Sequence, residues 1–251
     1  MGSWSPIGTG FFVEVPQGSR PSTYFVTARH VIEGREEVFI RLNVRNWDPS
    51  SIQPGILFHR TLVKDGEGNS LWFVHDERAV DIAVLPTAPD PQAEEPKVIS
   101  PSMFATRDIV AREGVVEGDD IFFTGLLPHY YQPRRNFPVV RHGRITLLTD
   151  EPVNTPEGST VLYFAECQSF LGNSGSPVFL NIGPRLFLLG VMKGYFYREE
   201  LEHPHDAHDA AKAVARFQEN IGIAAVTPVD KLKEILFHPR LTRERDRRQI
   251  P

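Results

Sequence analysis

The sequence predicts an all-β protein built from two packed units, and three observations carry that reading. Short apolar runs rich in β-branched and aromatic residues recur along most of the chain. The breaks between them are crowded with Gly, Pro, Asn, Asp and Ser, and one long proline-rich stretch divides the runs into two groups. With 251 residues the chain can bury a substantial core, as one large β domain or as two small ones.

In the first group "GTGFFVEV", "STYFVTA", "EEVFIRLNV", "LWFVHD" and "DIAVLP" read as strands, separated by "PQGSRP", "NWDPSS" and "KDGEGNS". Strands so closely spaced, with little helix among them, suggest a barrel or a sandwich. Residues 86–102, "PTAPDPQAEEPKVISPS", hold five prolines and three acids with no sustained apolar period, which marks a connecting segment. The boundary falls there, with a first unit over 1–100 and a second over 101–227. The second contains "DDIFFTG", "HGRITLLT", "STVLYFAEC", "SPVFLN" and "PRLFLLGVMKG", and a second barrel is the economical reading.

Thr227-Pro228 is a helix-start signal, and Val229, Leu232, Ile235 and Leu236 follow at helical spacing. A helix over 228–238 should dock by that stripe. The remaining 239–251 read as a charged, solvated tail.

Composition excludes several classes. Lys and Arg number 27 against 32 Asp and Glu, a formal net charge of -5, which argues against a general nucleic-acid binder. No run approaches the roughly 20 apolar residues of a membrane helix, and no secretion signal opens the chain, so no membrane partner is expected. The lone cysteine, Cys167, cannot form an internal disulfide, which points to a reducing, cytoplasmic setting.

The chemistry begins at "GNSGSPVF", residues 172–179, where two glycines bracket Ser174 in a tight turn that leads into a strand. A serine hydroxyl is a poor nucleophile at neutral pH. It needs a base to take its proton, and the base needs a group that orients it. "VTARHVI" offers His30 just after a strand, and "AVDIAVLP" offers Asp81 at the start of another. Singly, these would read as a structural histidine, a strand-end acid and a hairpin serine; their joint occurrence outweighs each bland reading.

In that chain order the three residues resemble the chymotrypsin/trypsin-like serine protease superfamily. Thr27, Ala28 and His30 match its T-A-x-H motif, Asp81-Ile82-Ala83 its D-[IL]-A motif, and Gly172–Gly175 its G-[DN]-S-G motif. The resemblance implies two packed six-stranded antiparallel barrels, with His30 and Asp81 from the first and Ser174 from the second. It also implies a cofactor-independent serine endopeptidase, without metal, whose oxyanion hole is formed by the backbone N–H groups of Gly172 and Ser174. Gln168, Ser169 and Phe170 would line the substrate pocket together with Lys193, Gly194 and Tyr195. Gln168 falls nearest the position where trypsins carry an acid, so no preference for Arg or Lys is expected.

Asn173 departs from secreted trypsins, whose Asp there pairs with a newly cut amino terminus. No activation by trimming is therefore expected, and the pattern is closer to the disulfide-free, HtrA-like bacterial members, with no room for a PDZ domain. Expected partners are a protein or peptide substrate and a possible regulatory protein; the alternative function is a latent protease serving as a peptide-binding sensor.

Three further features read more plainly as structure. His203, His205 and His208 lie among acids in 203–217, a zinc-capable set that reads as part of a surface helix. Arg134, Arg135, Arg141 and Arg144, with Tyr130 and Tyr131, could grip a nucleic acid or an acidic peptide but read as a solvated barrel loop. Cys167 reads as a small buried hydrophobe.

Overall fold

The computed structural model describes residues 5–18, 20–127, 132–201 and 216–248. The first half contains β1 (Gly10–Val15), β2 (Ser22–Thr27), the one-turn helix α1 (Arg29–Ile32), β3 (Glu37–Asn43), β4 (Ile56–Leu62), β5 (Phe73–Val74), β6 (Ala83–Thr87) and β7 (Val98–Ile99). Five of these strands form one sheet in the order β5-β6-β2-β1-β7, antiparallel throughout except for the β1–β7 pair. The hairpin β3–β4 is a separate two-stranded sheet.

The expected six-stranded barrel is therefore open on this side. The hairpin packs on the sheet through side chains instead of joining its hydrogen-bond ladder: Ile40 and Val63 meet Trp72, Ala83 and Leu85, with Phe25, Val38 and Leu42 against them. β4, "ILFHRTL", shows no alternating apolar face because most of it is solvent-facing.

The second half adds α2 (Arg107–Glu113), β8 (Asp120–Gly125), β9 (Val139–Leu147), a small hairpin of β10 (Val153–Thr155) and β11 (Gly158–Thr160), then β12 (Tyr163–Glu166), β13 (Pro177–Ile182), β14 (Arg185–Leu201) and β15 (Arg216–Pro228). Six of these close into a barrel, β12-β15-β14-β13-β8-β9. In β13, Val178 and Leu180 point into the barrel, while Phe179 points out into a core shared with β1, β2 and β6. Because both faces are buried, "PVFL" is continuously apolar, with no alternation for a polar side.

β15 runs directly into α3 (Val229–Leu236), whose Val229, Leu232, Ile235 and Leu236 are buried in that shared core, as their spacing predicts. The stretch read as a charged tail is folded: Pro239–Arg248 form α4, Leu241 enters the core, and Arg245 is only 4% exposed. Arg245 donates to the carbonyl of Leu236 at 3.0 Å and lies over the rings of Tyr24 and Phe237. It thus satisfies an orphan carbonyl at the end of α3, and its stem packs as an apolar group.

Candidate active site

Strand β2 ends at Thr27, and α1 presents His30 with its side chain half exposed. Asp81 stands two residues ahead of β6, between Val80 and Ile82, both fully buried, so its backbone is held by the core on either side. Its carboxylate grips His30 twice: the backbone N–H of His30 donates to Oδ1 at 2.9 Å, and ring Nδ1 lies 2.6 Å from Oδ2.

Burial alone would push the Asp81 carboxyl up. The His30 hydrogen bonds, with the charges of His30 and Lys193, more than offset that and hold it below the usual aspartate value. An ionised carboxylate only accepts, so ring Nδ1 is the nitrogen that carries the proton of this bond.

The serine loop is closed on itself by Asn173. Its Oδ1 accepts from the N–H of Phe170 at 2.8 Å, its Nδ2 donates to the carbonyl of Leu126 at 2.9 Å, and its own N–H donates to the carbonyl of Phe170 at 2.9 Å. The amide thus orders this turn with uncharged bonds.

The loop is also pinned to the first half. Thr9 N donates to the carbonyl of Ser174 at 2.9 Å, and Thr9 Oγ1 donates to that of Gly172 at 2.8 Å; the carbonyl of Thr9 accepts from Thr27 Oγ1 at 2.7 Å. Gly175, at φ +85°, is pressed so close that a Cβ would strike Thr9 O, Thr27 Oγ1 and Ala28 N. This contact brings the residue after Ser174 against the chain two residues before His30. Among the described residues the Ser174 hydroxyl, and the N–H groups of Gly172 and Ser174, have no hydrogen-bond partner. Gly172 itself is at φ +92°.

A cavity of about 290 Å³ opens beside His30 and Asp81. Lys193, Gly194 and Tyr195 form one wall, and Thr155, Pro156 and Glu157 of the β10–β11 turn form another. The structure thus brings one half of the expected substrate-binding set to the His–Asp pair. Gln168, Ser169 and Phe170 lie outside this cavity, as does Ser174: Ser169 is buried, Phe170 lies under Arg141, and the carbonyls of Gln168 and Ser169 accept from Arg141 and Asn220.

The arginine cluster is engaged. Arg134 stacks over Trp47, Arg135 pairs with Glu95 at 2.5 Å, and Arg144 pairs with Asp120 at 3.1 Å. With Asn136 bonded to Asn43, the 132–136 loop straps the barrel to the β3–β4 hairpin. Tyr130, Tyr131, His203, His205 and His208 lie outside the described residues; the last two residues of the expected surface helix, Arg216 and Phe217, belong to β15. Among the described residues no group of three or more His, Cys, Asp or Glu could hold a metal ion, and no helix is long and apolar enough to cross a membrane. Burial pushes the Cys167 thiol up to about 11.

Residues 8–184, more than half of the chain, match the family profile of the trypsin-like peptidase domain. The chain belongs to the trypsin-like peptidase family, and that membership supports a protease function. Among solved structures it is similar to the apo protease domain of MamO from Magnetospirillum magneticum, at 16% identity over 92% of this chain and 88% of that one, with a TM-score of 0.51. It is also similar to the active form of the Rv3671c protease from M. tuberculosis, at 17% identity over 91% of this chain and 71% of that one, with a TM-score of 0.48. No curated protein matches it.

Proposed function

We propose that the protein is a serine endopeptidase that cleaves peptide bonds through an acyl-enzyme, with Ser174 as nucleophile, His30 as general base and acid, and Asp81 as the group that orients the imidazole. The observation that carries this reading is the double grip of Asp81 on His30, at 2.9 Å and 2.6 Å, together with a serine loop that Thr9 pins to the first half. Ser174 Oγ attacks the scissile carbonyl as His30 takes its proton. His30 then gives a proton to the leaving amine, and water releases the acyl group by the same path in reverse.

The N–H groups of Gly172 and Ser174, unengaged among the described residues, would receive the developing oxyanion. A peptide would lie along β14 beyond Met192. There, among the described residues, β14 pairs only with β15, because β13 leaves it at the Pro177–Val191 pair. No cofactor is required by this chemistry. The buried thiol of Cys167 fits a reducing, cytoplasmic setting.

One observation favours a second reading, a latent protease serving as a peptide-binding sensor that a partner completes: Ser174 does not line the cavity that His30 and Asp81 share. A fluorophosphonate probe decides between them. An active enzyme is labelled at Ser174 in the isolated chain, and Ser174→Ala and His30→Ala abolish labelling; a native chain that resists the probe is the sensor.

A further inference from the structure

Lys193 occupies the point where the cleft strand gains a residue. The pairing of β14 with β15 passes from Met192 opposite Val226 directly to Gly194 opposite Ala225, leaving Lys193 as the extra residue of a bulge. Bulges re-aim side chains, and this one turns a lysine inward. The side chain is 19% exposed, its Nζ 3.9 Å from Asp81 Oδ2 and 3.3 Å from Glu157 Oε2. Oδ2 is the same oxygen that faces ring Nδ1 of His30. When His30 takes the serine proton, one carboxylate oxygen must therefore serve two cations.

We infer that Lys193 is a positioning residue that sets how strongly Asp81 supports the protonated form of His30, and that Glu157, on the β10–β11 turn, sets how much of the lysine charge Asp81 receives. The inference rests on the serine protease reading above. A cation beside Asp81 opposes the imidazolium and keeps His30 available as a base at lower pH. A carboxylate at Glu157 draws the ammonium the other way and tempers that effect.

Other charges border the same cavity. Arg29 and Glu33 come from α1 and its end, 4.0 Å apart, and Arg78, from the segment leading to Asp81, lies 3.0 Å from Glu33. These three engage one another, whereas Lys193 is the cation paired with Asp81 itself. Burial pushes Glu157 up, but Lys193 outweighs it and holds that carboxyl below its usual value, consistent with an ionised partner.

The test uses the full chain with Lys193→Met, Lys193→Arg and Glu157→Gln, and two readouts. The first is the pH dependence of fluorophosphonate acylation. The second is the carboxyl ¹³C titration of Asp81, which needs no activity. Lys193→Met should move the acid limb of acylation and the Asp81 midpoint upward by roughly 0.5–1 pH unit. Glu157→Gln should move both downward, and Lys193→Arg should restore wild-type behaviour.

Unmoved profiles, or shifts in one common direction for Lys193→Met and Glu157→Gln, overturn the inference. Should Lys193→Met not fold, Glu157→Gln decides alone by the direction of its shift. A wild-type chain that the probe never labels overturns the protease reading, whereas an Asp81 titration indifferent to Lys193 overturns this one.

Discussion

Thr9 and Ser174 are joined across the two halves of the molecule: the backbone N–H of Thr9 donates to the carbonyl of Ser174 at 2.9 Å, while Thr9 Oγ1 donates to the carbonyl of Gly172 at 2.8 Å. The serine loop is thereby registered against the start of strand β1. Thr9→Val keeps the backbone bond and the side-chain shape but removes the hydroxyl. It should destabilise the fold by only about 1 kcal/mol, while lowering the fluorophosphonate acylation rate by more than that loss implies for unfolding. Urea unfolding followed alongside labelling kinetics separates the two effects.

Asn173→Asp tests why this turn carries an amide. The side chain is buried, and its Nδ2 donates to the carbonyl of Leu126. An aspartate would set a carboxylate oxygen against that carbonyl. The expected loss is roughly 1–3 kcal/mol or more, with acylation reduced because the loop no longer closes. A shift in the urea midpoint measures it.

Asp81 ties stability to pH with a definite sign. Its folded carboxyl sits below the ordinary value, so near pH 4 the folded state binds fewer protons than the unfolded one. Stability from this group is complete above the unfolded pKa of about 3.9 and is lost as pH falls through the lower, folded value. Asp81→Asn should flatten that acid-side decline in unfolding free energy. It should also slow acylation by roughly 10⁴-fold, because an amide no longer dictates the imidazole tautomer.

Cys167 should behave as a hydrophobe. With its thiol pushed up to about 11, almost no thiolate exists at pH 8. A thiol-reactive disulfide reagent should modify the native protein slowly and the urea-unfolded protein at once, and Cys167→Ala should leave acylation unchanged.

Arg245→Ala should loosen both carboxyl-terminal helices. The guanidinium donates to the Leu236 carbonyl and lies over Tyr24 and Phe237, so truncation removes a cap and a buried stem together. A loss of roughly 1–3 kcal/mol is expected. Faster amide exchange confined to α3 and α4 would locate it.

These residues also show what the sequence discloses. His30 and Asp81 were legible because each belongs to a short motif at a strand end, and the core partners that fix them are neighbours in the chain. The α3 stripe was legible for the same local reason. Helix α4 was hidden because it docks through a single leucine, Leu241, and an arginine, Arg245, that buries its stem, and a run of alternating charges looks like solvated chain.

The open first sheet was hidden too. β4 faces water with His59 and Arg60, so it shows no apolar period, and only its partner β3 could reveal it. Thr9 read as the start of a strand, since its contacts with residues 172 and 174 are long-range. The bulge at Lys193 is a matter of register between two strands, which no single segment records.

That bulge has a consequence for how the cleft can vary. A point substitution at 193 changes the charge offered to the site but leaves the additional backbone unit in place. Only a one-residue deletion would restore even pleating there, and because Gly194 and Tyr195 already stand opposite Ala225 and Ala224, it would take out the bend and the lysine while leaving both on their present faces. Polarity at this wall is thus adjustable by substitution, whereas its bend belongs to a backbone unit that substitution leaves in place.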